Sequence, residues 1–357
     1  MKGDPFHRCV RQVFLAAFAL VAPALAGCLA PSSVEAPDAP ALSPPPVVVP
    51  TVDAEALLAE VKAFAEEFPA RRGDNAAHNG ARAHLVESFR AMGYDAYEDE
   101  FEAPVSRVST PTNAVGSGRL VNLCAFHWGA TAPQEWIVVG AHFDVTDGAV
   151  YGAYDDGSGT MFVQHLARAF YGVPTARSIV FCNFDGEEQG LQGSKHLVEA
   201  LAKGEWTLNN GTVLGMIDFD MAGIMFPAAP PLVADVVSPE MKAVLEAKAA
   251  DLGIPEDAIE YRGIRGGSSD NGPFKAAEIP SVLLISDFDE IRYGPLAPPG
   301  FYPFWHQYDS YEGMVALAEG EANLKAGFQN VADLGADLLA NMAGTMEMTF
   351  DLSVAGQ

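Results

Sequence analysis

Positive charge is scarce in this chain: 21 Lys and Arg stand against 47 Asp and Glu over 357 residues, a net charge of −26. That balance works against binding to nucleic acid or to anionic lipid, both of which draw on clustered cations. Cysteine is sparse too. Of the four, Cys9 and Cys28 lie near the N-terminus, while Cys124 and Cys182 sit in apolar, strand-like runs and read as two buried thiols sooner than a disulfide, a choice that spacing does not settle. Long apolar runs are missing apart from residues 13–25, a stretch too short to span a bilayer well. There is no internal repeat, and no second linker that would divide the chain after residue 52.

What is present at the N-terminus has the form of a processing signal. Lys2, Arg8 and Arg11 precede the apolar stretch, and Leu25-Ala26-Gly27-Cys28 follows it. Small residues before a cysteine resemble a lipobox, so residues 1–27 are expected to be a lipoprotein signal peptide, with Cys28 lipidated after cleavage. Residues 28–51 are rich in Pro, Ala and Ser, include Pro44-Pro45-Pro46, and read as an extended tether. The expected product is an exported cell-envelope lipoprotein held to the membrane only through Cys28. A globular domain over 52–345 and a tail over 346–357 are expected to complete the organisation.

From residue 52 helical and strand-like patterns alternate, which argues for an α/β fold. Helices are expected over 53–68, 79–92, 160–170, 191–201 and 239–252, with one long or broken helix over 314–342. Strands are expected over 121–126, 135–141, 178–184, 211–219 and 281–286. The first two of these are predicted to pair with each other across the turn at 129–133. In open α/β sheets, ligands gather at the carboxyl ends of parallel strands. Four such ends carry chemistry-bearing residues: His142-Phe143-Asp144, Asp185-Gly186-Glu187-Glu188, Asp220, and, beyond the strand at 281–286, Trp305-His306-Gln307-Tyr308-Asp309.

Two imidazoles and several carboxylates, with no thiolate, suit a hydrolytic Zn²⁺ site. His142 and Asp144 point the same way from an extended strand, so Asp144 can accept the free ring N–H of His142 and orient it. Composition does not rank Asp155 against Asp156. His78, His84, His127, His165 and His196 read as surface or helix-packing residues.

In order along the chain, Ala141-His142-Phe143-Asp144, Gly152-Ala153-Tyr154-Asp155-Asp156-Gly157-Ser158-Gly159, Glu187-Glu188-Gln189-Gly190-Leu191-Gln192-Gly193-Ser194, Asp220-Met221-Ala222-Gly223 and Ser269-Asp270-Asn271-Gly272-Pro273-Phe274 with Ile279-Pro280 resemble the motifs of the co-catalytic zinc aminopeptidases. These form family twenty-eight of the metallopeptidases, which also contains the glutaminyl cyclases. The resemblance implies the zinc-dependent exopeptidase fold, a three-layer αβα arrangement around a central mixed, mostly parallel twisted sheet. It also implies two zinc ions bridged by Asp155, with His142 and Asp220 completing one and Glu188 and His306 the other. Glu187 would be the general base, the Asp155–Asp156 peptide would be cis, and the substrates would be peptides with a free N-terminus.

Three departures concern the surroundings of the ligands. Asn271 replaces the usual His, Ser310 stands where the family often has Asp four positions after His306 (Asp309 is at three), and no Tyr precedes Ser269 as oxyanion donor. Trp305, Tyr308 and Asp270 are the candidates for the substrate pocket. Three alternatives stay open. A glutaminyl-cyclase-like acyltransferase with one zinc is suggested by Phe184-Asp185-Gly186-Glu187-Glu188 and by Trp305-His306. A carboxypeptidase-type relative would use Arg262, Arg265 or Arg292 for the substrate carboxylate. A catalytically inactive binding lipoprotein would be expected to have lost a ligand or Glu187, and all six positions are present.

Overall fold

The computed structural model describes residues 48–73, 75–106, 115–146, 149–206, 211–224, 232–236, 238–262, 269–286 and 309–344. The signal peptide with Cys28, the tether up to residue 47, Trp305, His306, Tyr308, Arg265, Arg292 and the tail beyond 344 lie outside the described residues. Arg262 ends a strand.

Eight strands form one mixed sheet in the order β1-β2-β4-β3-β5-β8-β6-β7. They are β1 Ala96–Ser106, β2 Val115–His127, β3 Ala132–His142, β4 Arg177–Phe184, β5 Thr212–Phe219, β6 Leu232–Val236, β7 Ile259–Arg262 and β8 Ser281–Ile285. The middle four, β4-β3-β5-β8, run parallel, and the antiparallel pairings are β1/β2, β2/β4 and β6/β8. Both faces of the parallel strands are covered, which explains their near-continuous apolar sequences. Ile137, Val139 and Ala141 of β3 pack into one cluster, while Trp136 and Val138 pack into the other.

One face carries α1 Ala54–Glu67, α2 Ala76–Met92, α3 Gly157–Phe170, α5 Pro239–Asp251 and the C-terminal helices. The other carries α4 Gln192–Lys203 and α6 Asn271–Ala276. This is the three-layer αβα architecture. Helix starts follow their capping residues: Asp53 accepts from the Glu55 and Ala56 amides, and Asn75 from that of His78. The long pattern at 314–342 is a broken helix, α7 Tyr311–Leu317 and α8 Glu321–Ala343, interrupted at Gly320, whose φ of 133° no L-residue adopts comfortably. Among the described residues no helix is long and apolar enough to cross a membrane.

Two expectations are corrected here. The strands at 121–126 and 135–141 do not pair with each other, because β4 inserts between them. The same insertion sets Cys124 of β2 opposite Cys182 of β4, and the two form a disulfide rather than two thiols. Closing a loop of 58 residues restricts the unfolded chain by about 4 kcal/mol. A Cys124→Ala/Cys182→Ala double variant is therefore expected to unfold at lower denaturant concentration, and an unchanged midpoint would remove the disulfide's role as a staple.

Candidate active site

Parallel register brings the functional strand ends level with one another. His142 closes β3 beside Phe184 of β4, and Gly140 faces Asp218 of β5, which puts Asp220 at the height of His142. The His142 ring is buried, and its Nε2 lies 3.2 Å from Asp155 Oδ1, 3.8 Å from Asp220 Oδ1 and 4.0 Å from Glu187 Oε2. One ligand atom each from His142, Asp155 and Asp220 fall within 4.8 Å of one another, a spacing suited to a shared cation. Thr160 Oγ1 donates to the His142 carbonyl at 2.6 Å and ties the strand end to α3.

Asp144 stands 3.5 Å from His142 Nδ1, but the same nitrogen is nearer to the Asp144 backbone oxygen, at 3.1 Å. The main chain thus shares in fixing the ring, and the Asp144 carboxylate has a second duty: its Oδ1 accepts from the Glu187 amide at 3.1 Å. Asp155 and Asp156, joined by a cis peptide, turn to different tasks. Asp155 faces His142. Asp156 caps α3, its Oδ1 accepting from the Gly159 amide at 2.8 Å and from the Met221 amide at 3.2 Å. Asp309 holds the Asp155 loop from outside, its Oδ1 accepting from the Tyr154 and Asp155 amides at 3.0 and 3.2 Å. A carboxylate three residues after His306 thereby grips the backbone of the ligand loop.

Several participants carried no legible signal. Arg71 is fully buried, and its Nε, Nη1 and Nη2 donate to the carbonyl oxygens of Phe143, Tyr151 and Gly152 at 2.6, 2.7 and 2.6 Å. His78, expected at the surface or in helix packing, is buried. Its Nε2 meets Asp185 Oδ1 at 2.9 Å, and its ring stacks on Phe143. Asp185 Oδ2 also accepts from the Val121 amide at 2.8 Å, so the turn carrying Glu187 and Glu188 is pinned to both α2 and β2. Asp218 accepts from the Asn271 amide at 2.6 Å. Asp270, expected at the substrate pocket, is fully buried and takes the Ser194 hydroxyl, a position inside the protein and not on an open wall.

The electrostatics of the site are those of carboxylates short of cations. Burial, then the charge of Asp155, pushes Glu188 up to about 9. Burial raises Glu187 well above the carboxylate range, with His142 opposing and Asp220 and Asp270 reinforcing the shift. Burial also lifts Asp270 and Asp309 to about 7. His142 is driven the other way: desolvation would lower it, but the carboxylates of Asp144, Asp155 and Asp220 hold it well above the usual imidazole value. Among the described residues, Asp220 Oδ1 and Glu188 Oε1 are buried without a hydrogen-bond partner. An imidazole among carboxylates with spare oxygen lone pairs is a donor set that fits zinc.

The profile of Peptidase family M28 matches residues 122–315, more than half of the chain. Leupeptin-inactivating enzyme 1 of Streptomyces exfoliatus is 31% identical over 277 residues, 76% of this chain and 58% of its own length. Aminopeptidase YwaD of Bacillus subtilis is 34% identical over 150 residues, 42% of this chain and 31% of its own. The chain thus spans less than two thirds of these relatives. Among solved structures, a zinc aminopeptidase from Bacillus subtilis superposes with a TM-score of 0.64 at 17% identity, covering 83% of this chain and 98% of that one. A glutaminyl cyclase from Porphyromonas gingivalis does so with 0.63 at 18%, covering 82% and 99%. At these identities the superpositions speak for the fold alone.

Proposed function

Because the chain belongs to Peptidase family M28, we propose that it is a metallo-aminopeptidase that removes N-terminal residues from peptides with a two-zinc centre and a glutamate base. The observation that carries this is the His142–Asp155–Asp220 cluster with Glu187 beside it. His142 and Asp220 would hold one ion, Glu188 and His306 the other, and Asp155 both. When bound, the zinc pair supplies a nucleophilic hydroxide near neutral pH and polarises the scissile carbonyl. Glu187 takes the proton released by the attacking water and delivers it to the departing amine. Burial raises the Glu187 carboxyl in the ion-free site, and the charge of bound zinc would bring it back toward the ionised form that a base requires. Asp144 accepts the Glu187 amide and borders the His142 ring, so it aligns base and ligand together.

The test is a metal count on the purified protein beside activity on a panel of aminoacyl arylamides and on N-terminal Gln peptides. Two zinc ions with arylamide hydrolysis support the reading. One zinc with cyclisation of N-terminal Gln would replace it with the acyltransferase. A metal-free, inert protein would leave the binding-lipoprotein alternative.

The proposal extends to an envelope location. A Cys124–Cys182 disulfide is at home in an oxidising compartment, which supports export. With Cys28 lipidated, the domain would stand on its tether outside the cytoplasm, and its 46 acidic against 18 basic residues after residue 27 give anionic lipid or nucleic acid no foothold. Cys28→Ser is expected to move the protein into the soluble fraction after cell disruption. Unchanged membrane retention would count against the anchor.

A further inference from the structure

Arg71 is a cation buried against what is read as a cation-binding site, and that placement calls for a reason. Its three hydrogen bonds all end on backbone oxygens: Phe143 lies between His142 and Asp144, and Tyr151 and Gly152 lead into Asp155. Its own carbonyl accepts from the Val145 amide at 3.0 Å, and the neighbouring Ala70 amide donates to Val150 at 2.7 Å. The guanidinium stacks over the Phe64 ring, 4.7 Å from its centroid, which anchors it to α1. Gly152, at φ +56°, completes the fit, since a Cβ there would lie 2.1 Å from Val145 Cγ1 and 2.9 Å from Arg71 Nη1. The carbonyls of Phe143, Tyr151 and Gly152, on either side of the loop between them, converge on one planar fork of donors.

We propose that Arg71 is the positioning residue that sets the spacing of His142 and Asp155, and through it the affinity of the centre for its metal ions. The proposal rests on the metal-centre reading above. It makes a claim of sign. By Coulomb attraction and repulsion alone, removing a cation beside a metal site strengthens metal binding. Removing the clasp that spaces the ligands weakens it, and groups that orient metal ligands are typically worth 10–100-fold in metal affinity. Lys cannot stand in for Arg here, because an ammonium is a point donor and does not span three diverging carbonyls.

The experiment uses the full chain stripped of metal and titrated with zinc against a chromophoric chelator, then with Co²⁺ followed by its visible spectrum, with no peptide present. Arg71→Met and Arg71→Lys are expected to bind zinc about 10–100-fold more weakly than the parent, with an altered Co²⁺ spectrum and native near-ultraviolet circular dichroism. Arg82→Gln, which removes a surface partner of Glu98 and Glu100, is expected to bind as the parent does. If Arg71→Met does not fold, Arg71→Lys decides, because it keeps the charge and loses the fork. Equal or tighter zinc binding by the folded variants overturns the role of Arg71 while leaving the metal centre standing. A parent chain that binds no zinc overturns the centre, and Arg71's role with it.

Discussion

Glu187→Ala is expected to keep the zinc content of the parent and to lower kcat by a factor of about 10² to 10⁴. The separation of the two effects follows from where Glu187 stands. Its Oε2 is 4.0 Å from His142 Nε2, close enough to serve a water held at the cluster, while the ligand atoms drawn together around that ring belong to Asp155 and Asp220. The turn that carries it is pinned independently, through Asp185 to His78 and Val121, and through the Glu187 main-chain amide to Asp144. Truncating the side chain removes none of those ties. The loss should therefore fall on kcat, with KM nearly unchanged, and Glu187→Gln should resemble the alanine variant, because an amide neither accepts nor returns the proton. Full activity in either variant would sink the general-base assignment. Loss of zinc along with activity would move Glu187 from base to ligand.

How much of this was legible depended on whether a residue's role is local. His142, Asp144 and Asp220 could be placed from strand ends, because parallel strands deliver their C-terminal residues to one rim whatever the order of the sheet. The separate jobs of Asp155 and Asp156 are not ranked by composition or spacing and come only from the family resemblance, since they depend on how the turn enters α3. Strand order itself was hidden. Pairing residues 121–126 with 135–141 assumed that neighbours in sequence are neighbours in the sheet, and the insertion of β4 broke that assumption and the reading of Cys124 and Cys182 with it. β1 carries a weak signal because this edge strand buries Asp99 and exposes Tyr97, which breaks the alternation that Phe101 and Ala103 continue. Arg71 and His78 were invisible for a further reason. The side-chain hydrogen bonds of each reach groups more than 70 residues away in the chain, and neither sits in a pattern that periodicity or spacing marks.

Stripping the metals is expected to abolish turnover and to make the protein less stable as pH rises. In the ion-free protein, burial holds Asp270 and Asp309 at about 7 and Glu188 at about 9, whereas unfolded carboxylates titrate near 4. Folded-state values raised in this way give stability that is fully present below about pH 4 and is lost as pH climbs through about 7 and then about 9, because the unfolded chain has already released protons that the folded chain retains. Between pH 5 and pH 8 Asp270 and Asp309 alone take away about 5 kcal/mol, or a fall in Tm on the order of 10 °C. Bound zinc would take the place of the Glu188 proton, and its charge would favour the ionised forms of Asp270 and Asp309 nearby, so the loaded protein should change little over the same range, and the gap in Tm between loaded and stripped protein should widen toward alkaline pH. Returning zinc should close the gap and restore hydrolysis together. A stripped protein that melts at the same temperature at pH 5 and pH 8 would mean that the buried carboxylates find their compensation within the chain, and activity that survives full chelation would end the metal reading outright.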